Sequence, residues 1–209
     1  MAKLYFLGGE SVAKQDSKYI NEVAFKEAAD SPRVLVFPWA RKSSDKTHRR
    51  WKRLFKYFIN IGAGSVEVAD YGETFKEISR KVECSDLVYL TGGFTTVLLE
   101  RLRKKNIAPL LRSYNKVIVG RSAGALVLCK KCFLTDRRES LVKIVEGLGI
   151  VDIGIKVHYR PSGDVELKRL SKKEAIYGIP ERSALVYDSR GLSFIGDVYV
   201  FKNGEKTRF

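Results

Sequence analysis

The most informative stretch of the sequence is VIVGRSAGA, residues 117–125. It joins a continuously apolar run to the pattern G-x-S-x-G, and a segment rich in Ala and Leu follows. A buried strand, a sharp turn at a serine and a helix are the parts of a nucleophile elbow, which projects the serine hydroxyl beyond the strand end. Glycines on both sides of the serine permit this turn because they carry no Cβ. The pattern therefore predicts Ser122 as a nucleophile.

The rest of the chain repeats the order of strand and helix. Short strand-like runs at residues 4–7, 34–37, 65–68 and 87–90 are each followed by a segment with helical spacing, and all but 65–68 are apolar throughout. Strands that are apolar at every position are usually buried on both faces, and alternation with helices implies right-handed βαβ units. The sequence thus predicts an α/β fold with a mostly parallel sheet flanked by helices.

The C-terminal segment has a different pattern. Residues 184–187, 192–196 and 198–204 are strand-like and are separated by turn residues, with no helix between them. This pattern predicts a small antiparallel β meander. Because no repeat or break in composition marks a second unit, we expect residues 1–209 to form a single α/β domain.

Composition excludes several classes of protein. The 209 residues include 39 Lys and Arg and 24 Asp and Glu, a net charge of +15, and 44% of them are hydrophobic. No run of 18 apolar residues is present, which excludes a membrane-spanning helix, and the N-terminus lacks the pattern of a signal peptide. Three cysteines do not make a disulfide framework. These features predict a cytoplasmic protein without a membrane partner.

Much of the positive charge is concentrated in residues 41–56, where eight basic residues accompany one acid, Asp45. Apolar residues recur at helical spacing through the same stretch and its continuation, which indicates an amphipathic helix with a basic, solvated face. Clustered Lys and Arg can also bind phosphates or steer acidic substrates. No zinc-finger, RNP or Walker pattern supports nucleic-acid binding, so we expect no nucleic-acid partner.

A serine nucleophile needs a base, and histidine is the usual one. The chain has only two histidines. His48 lies in the basic helix, whereas His158 follows the apolar run 151–157 and precedes a loop. Ligands bind where the strands of a parallel sheet end, so the sequence predicts His158 as the base.

The residue that orients the imidazole is less well defined by the sequence. Four acids lie between Ser122 and His158, and their spacing favours Asp136, with Glu139 next, without deciding between them. The other two are Glu146 and Asp152.

Two further glycine pairs follow predicted strands. Gly92-Gly93 comes after residues 87–90, and Gly8-Gly9 comes after residues 4–7. The Gly92-Gly93 turn can supply a backbone N–H to a developing oxyanion alongside that of Ala123, and Gly92 is a candidate substrate contact. Neither pair belongs to a G-x-G-x-x-G or P-loop pattern, so no nucleotide is expected.

One CxxC pair follows the elbow, at Cys129 and Cys132. A redox pair or half of a zinc site are the chemical alternatives, but no second CxxC is present. Packing behind the elbow helix is therefore the favoured interpretation.

Five segments together carry a resemblance to a known family. They are FPWA at 37–40, TGGFTTVLLERL at 91–102, GRSAGA at 120–125, VHY at 157–159 and GIPERSALV at 178–186. Their order and spacing resemble the S51 serine peptidases, which include aspartyl dipeptidase (dipeptidase E) and cyanophycinase. The resemblance extends over nearly the whole chain and implies a fold similar to that of class I glutamine amidotransferases.

The resemblance also implies roles for individual residues. It implies Ser122 as nucleophile, His158 as base, and Gly93 with Ala123 as donors to the oxyanion. In members similar to dipeptidase E the acid lies in a loop between the serine and the histidine, and Asp136 occupies a matching position. No metal or organic cofactor is implied.

The chain departs from the family pattern in two places. Phe94 stands where the family usually has Asn or Asp after the glycine pair, and the segment after the histidine reads RPSGDVELKRL. Aspartyl dipeptidases need a cation for the aspartate side chain of the substrate. Arg160, Lys168 and Arg169 are the candidates, and Arg160 is favoured because it is nearest to His158 in sequence.

These observations predict a serine peptidase that hydrolyses short peptides, including dipeptides with N-terminal aspartate. It would act as a monomer or a homodimer. Two alternatives remain open: a cyanophycinase-like hydrolase of β-aspartyl peptides, and a basic binding module that keeps the fold without the activity.

Overall fold

A computed structural model describes residues 1–41, 48–135 and 142–209, with only the backbone given for residues 48–51 and 135. Two sheets of strands and the helices packed on them make up the described chain. The strands are β1 (Lys3–Leu7), β2 (Arg33–Phe37), β3 (Ser65–Val68), β4 (Leu87–Leu90), β5 (Val117–Arg121), β6 (Cys129–Thr135), β7 (Val142–Glu146), β8 (Val151–Val157), β9 (Ile176–Ile179), β10 (Ala184–Asp188), β11 (Gly191–Ile195), β12 (Tyr199–Lys202) and β13 (Glu205–Arg208).

The helices alternate with the first five strands and become sparse afterwards. They are α1 (Lys18–Ala28), α2 (His48–Asn60), α3 (Phe75–Cys84), α4 (Thr95–Lys104), α5 (Ala108–Ser113), α6 (Ala123–Leu128) and α7 (Asp164–Leu170), with a 3₁₀ turn at Pro161–Gly163. None of the helices in the described ranges combines the length and the apolar character that crossing a membrane requires.

The first sheet has seven strands in the order β11-β10-β1-β5-β4-β2-β3. Its five strands from β1 to β3 in this order run parallel, as the continuous apolar runs predict. The carboxyl ends of β1, β4 and β5 therefore meet at one edge, where the Gly8-Gly9 turn, the Gly92-Gly93 turn and Ser122 follow. The predicted fold class, α/β with mostly parallel strands and flanking helices, is confirmed.

A second sheet has six strands in the order β13-β12-β9-β8-β6-β7. The C-terminal strands differ from the predicted meander because they divide between the two sheets. β10 and β11 form an antiparallel hairpin that joins β1, while β12 and β13 form another that joins β9. The chain changes sheet at Gly196, whose φ is +78°, and at Asp197, whose backbone N–H donates to Ser183 Oγ at 3.0 Å.

Two large hydrophobic clusters cover the two faces of the first sheet. One contains residues of both sheets, among them Leu4, Phe37 and Ile155. The other lies beneath α1 and α2, and at its centre the fully buried Phe58 packs edge-on against Phe25 and Tyr89, with ring centroids 5.3 Å and 4.8 Å away. The helix predicted from the basic stretch is thus held to the sheet by its apolar side.

Phe58→Ala should destabilise the fold severely because it leaves a cavity between α1, α2 and β4. We expect a loss of about 3–5 kcal/mol in the free energy of unfolding, measured by urea denaturation. Ile59 is the next residue on the same helix and is 49% exposed. Ile59→Ala is therefore the matched control, and an equal loss in both variants would contradict this account of the packing.

Candidate active site

Ser122 lies at a strained turn between β5 and α6. Its φ of +51° and ψ of −106° are costly for a residue other than glycine. The turn is held by the Ser122 backbone N–H, which donates to Leu7 O at 3.0 Å. Helix α6 approaches β4 so closely that a Cβ on Gly124 would lie 2.1 Å from Leu90 O. Packing therefore requires Gly124, the second glycine of the G-x-S-x-G pattern. The Ser122 hydroxyl projects at the edge of the sheet.

The structure brings Ser122 and His158 together. Ser122 Oγ lies 2.8 Å from His158 Nε2. His158 is the first residue after β8, and its φ of +50° is also in the left-handed region. Its backbone N–H donates to Gly8 O at 2.9 Å, which ties the end of the second sheet to the end of β1. A nucleophile and a base at this distance can exchange a proton directly.

The other imidazole nitrogen faces a carboxylate. His158 Nδ1 lies 3.2 Å from Glu181 Oε1. Glu181 belongs to the short connection between β9 and β10, where the backbone N–H of Arg182 donates to Gly9 O at 3.2 Å. The His158 and Glu181 side chains are 47% and 53% exposed, so this contact is open to solvent.

Glu181 is a residue that sequence reasoning missed. The acids favoured by sequence spacing lie between the serine and the histidine, whereas Glu181 lies beyond both. Asp136 and Glu139 are outside the described residues. Asp152 is directed to solvent and pairs with Lys130 at 3.1 Å. The signal that points to Glu181 is an acid in a four-residue connection between two apolar strands, but only the crossing from one sheet to the other brings it to His158.

Two backbone N–H groups beside Ser122 are available as donors. Neither the N–H of Gly93 nor that of Ala123 donates to an acceptor within the described part of the chain. The Gly92-Gly93 turn is close to Ser122, since a Cβ on Gly92 would lie 3.4 Å from Ser122 Cβ. Phe94 is 60% exposed at the start of α4, and its own N–H donates to Ala40 O at 2.7 Å.

The three cations predicted to hold an acidic substrate differ in their surroundings. Arg169 is already engaged, because its guanidinium forks onto Glu166 at 2.8 Å and 2.7 Å. Lys168 is exposed on the same helix, α7, whose Leu167 packs against the second sheet. Arg160 is exposed at the start of the 3₁₀ turn that follows His158 and Tyr159.

The two cysteines after the elbow are packing residues in the structure. Both are buried, and their thiols point to carbonyls of α6, Cys129 to Ala125 O at 3.7 Å and Cys132 to Leu126 O at 3.1 Å. Burial raises the pKa of the Cys132 thiol to about 12, which makes it a poor nucleophile at neutral pH. Among the described residues, no three His, Cys, Asp or Glu side chains are grouped so as to hold a metal ion.

Comparison with known proteins gives the family. The model of peptidase family S51 matches residues 5–195. The chain belongs to peptidase family S51. This membership confirms the resemblance drawn from the sequence motifs and supports a peptidase function.

Two curated relatives agree with the family assignment. An uncharacterised peptidase of Listeria monocytogenes is 28% identical over 54% of this chain and 62% of its own length. An uncharacterised peptidase of Pasteurella multocida is 26% identical over 49% of this chain and 53% of its own length. The S51 chain thus spans less than two thirds of the curated relatives that it matches.

Solved structures show the same fold. A peptidase from an acI-B1 actinobacterium superposes with a TM-score of 0.77 at 18% identity, covering 100% of this chain and 94% of the other. A putative peptidase E protein from Listeria monocytogenes EGD-e superposes with a TM-score of 0.69 at 20% identity, covering 93% of this chain and 98% of the other.

Gly9→Ala should displace the imidazole of His158 in this S51 family member, because a Cβ at that position would lie 2.5 Å from His158 Cε1. We expect kcat/KM for peptide hydrolysis to fall by about tenfold to a hundredfold, because a displacement of a catalytic group by about 1 Å can lower the rate by as much as about a hundredfold. Gly163→Ala is the matched control because its nearest neighbour would be 3.9 Å away. Unchanged hydrolysis by a folded Gly9→Ala variant would argue against a tight fit between Gly9 and the imidazole.

Proposed function

We propose that this chain is a serine peptidase that hydrolyses short peptides. Ser122 acts as the nucleophile, His158 as the general base and Glu181 as the carboxylate that orients the imidazole. The observation that carries the proposal is the continuous set of contacts from Ser122 Oγ to His158 Nε2 at 2.8 Å and from His158 Nδ1 to Glu181 Oε1 at 3.2 Å. Nucleophile, base and orienting group in this order are the parts of a serine hydrolase site.

In the first half of the reaction, His158 Nε2 takes the hydroxyl proton as Ser122 Oγ attacks the scissile carbonyl. The tetrahedral oxyanion accepts hydrogen bonds from the N–H groups of Gly93 and Ala123, whose donors have no described protein acceptor. The imidazolium then gives its proton to the leaving amine as the C–N bond breaks. Glu181 stabilises the imidazolium and keeps the Nδ1 proton in place.

In the second half, water enters as the amine departs. His158 takes a proton from that water, which attacks the acyl group on Ser122. Collapse of the second tetrahedral species releases the carboxylic acid product and returns the proton to Ser122. Each of these steps is performed by groups of the chain itself, so the proposed reaction calls for no cofactor.

Other predictions remain part of the proposal. A cytoplasmic location, a single domain over residues 1–209 and a monomeric or homodimeric state rest on the sequence alone. So does a preference for dipeptides with N-terminal aspartate. Hydrolysis of β-aspartyl peptides in preference to α-peptides would instead favour the cyanophycinase-like alternative.

Ser122→Ala should abolish hydrolysis while the chain stays folded, because the hydroxyl projects from the elbow and its removal leaves the backbone turn intact. We expect kcat/KM to fall by at least about a thousandfold. The wild-type protein should also react with a fluorophosphonate at Ser122, as detected by mass spectrometry of the labelled peptide.

Ser162→Ala is the control for the Ser122 experiment, because Ser162 is exposed in the turn after the predicted base. It should keep both activity and labelling. A folded Ser122→Ala protein with wild-type hydrolysis would falsify the mechanism. A wild-type protein that neither reacts with fluorophosphonate nor cleaves any peptide in a dipeptide library would favour the binding-module alternative.

Glu181→Gln should lower kcat by about a hundredfold or more, because an amide no longer stabilises the imidazolium or its correct tautomer. Asp136→Asn and Glu139→Gln provide the comparison, since these were the acids favoured by sequence spacing. Steady-state kinetics on one peptide, with thermal unfolding as the check on folding, decides among the three. A larger loss in Asp136→Asn or Glu139→Gln than in Glu181→Gln would move the orienting role to that residue.

A further inference from the structure

An arginine lies beside the nucleophile and has no role in the mechanism above. Arg121 is the last residue of β5, directly before Ser122, and its side chain is only 17% exposed. The point that a Cβ on Gly92 would occupy is 3.3 Å from Arg121 Nε and 3.4 Å from Ser122 Cβ. The guanidinium therefore lies against the same glycine turn as the nucleophile.

The charge of Arg121 faces a fully buried carboxylate. Glu10 has a side chain that is 0% exposed, and its Oε2 lies 3.7 Å from an Arg121 terminal nitrogen. Three neutral donors hydrogen-bond Glu10: Asn21 Nδ2 and the Tyr57 hydroxyl at 2.8 Å each, and the Tyr89 hydroxyl at 3.0 Å. A buried carboxylate is costly without a nearby cation, so Arg121 supplies the compensating charge.

This ion pair leaves the donors of Arg121 free. At 3.7 Å the pair makes no hydrogen bond, and no described acceptor binds the guanidinium. Asn21 Oδ1 is the one side-chain N or O atom in the described ranges that is shielded from solvent and has no hydrogen-bond partner. The nitrogens of Arg121 have no such partner either but are not shielded, so its unused N–H groups are in contact with solvent.

Arg33 provides a comparison, because its guanidinium is engaged in an ion pair with hydrogen bonds. Arg33 forks onto Asp86 with hydrogen bonds of 2.9 Å and 3.1 Å. Arg121 differs from it, because Glu10 holds it in place by charge while its planar set of donors remains unsatisfied. A guanidinium in this state matches the geometry of an incoming carboxylate, which it can bind through two parallel hydrogen bonds.

We infer that Arg121 is a specificity-determining residue that binds a carboxylate of the peptide substrate next to the scissile bond. The inference rests on the proposed function of Ser122 as nucleophile. The carboxylate belongs either to an acidic side chain or to the free C-terminus of the peptide. Both present the same chemistry to Arg121, so the experiment separates them by substrate.

The test compares peptides that differ only in one carboxylate. The pairs are Asp-Ala with Asn-Ala, Ala-Asp with Ala-Asn, and Ala-Ala with its C-terminal amide. For wild type, we expect kcat/KM to favour the carboxylate member of at least one pair by about tenfold or more, since one desolvated charge pair has an effect of this size or larger. The pair that shows the preference identifies the source of the carboxylate.

In Arg121→Met the preference within that pair should fall to about one, with the change carried mainly by KM. Arg121→Lys should keep an intermediate preference, because an ammonium retains the charge but not the forked geometry. Arg160→Met is the matched control, since it removes the exposed cation favoured by sequence position. It should keep the wild-type preference.

Three results would overturn the inference: no preference in any pair for wild type, a full preference in Arg121→Met, or its loss in Arg160→Met alone. If Arg121→Met does not fold, Arg121→Lys decides, and a preference equal to wild type would count against the forked contact. Failure of the underlying mechanism is distinguishable, because it would appear as Ser122→Ala retaining hydrolysis of every peptide in the set.

Discussion

Three consecutive carbonyls at the end of β1 hold the candidate site together. Leu7 O accepts from Ser122, Gly8 O accepts from His158, and Gly9 O accepts from Arg182, which follows Glu181. The three segments are far apart in sequence and come from both sheets, yet each is fixed to the same short stretch of backbone. The distances between hydroxyl, imidazole and carboxylate therefore depend on one turn.

This turn also stabilises conformations that are unfavourable by themselves. Ser122, His158 and Arg182 all have φ values between +50° and +62°. A residue other than glycine held in such a region costs about 1–3 kcal/mol, and it persists only where its surroundings determine it. The backbone hydrogen bonds from these three residues to the end of β1 hold them in this conformation. The site is thus preorganised by the fold, with the side chains placed before any substrate binds.

Two opposite charges, those of Glu10 and Arg121, lie next to the site. Glu10 follows the turn directly, and its side chain is buried, with Asn21, Tyr57 and Tyr89 as donors. Burial and the Glu10 carboxylate both raise the pKa of the Tyr57 hydroxyl, so Tyr57 stays protonated and keeps donating. Arg121 lies above Glu10 and beside Ser122. This fixed cation with free donors is the basis of the proposed contact with a substrate carboxylate.

The sequence by itself determined the parallel sheet, because that depends on local periodicity. It also predicted the elbow at Ser122 and His158 as its partner, from one motif and a count of two histidines, and the two side chains lie in contact in the structure. It did not determine the second sheet, since the pairing of β12 with β9 joins segments that no local pattern relates. Glu181 was found only in the tertiary structure. Its carboxylate reaches His158 because the chain crosses from β9 in one sheet to β10 in the other, and the backbone beside it is tied to Gly9. Spacing along the chain does not indicate that long-range contact. For this reason the sequence favoured acids between the serine and the histidine.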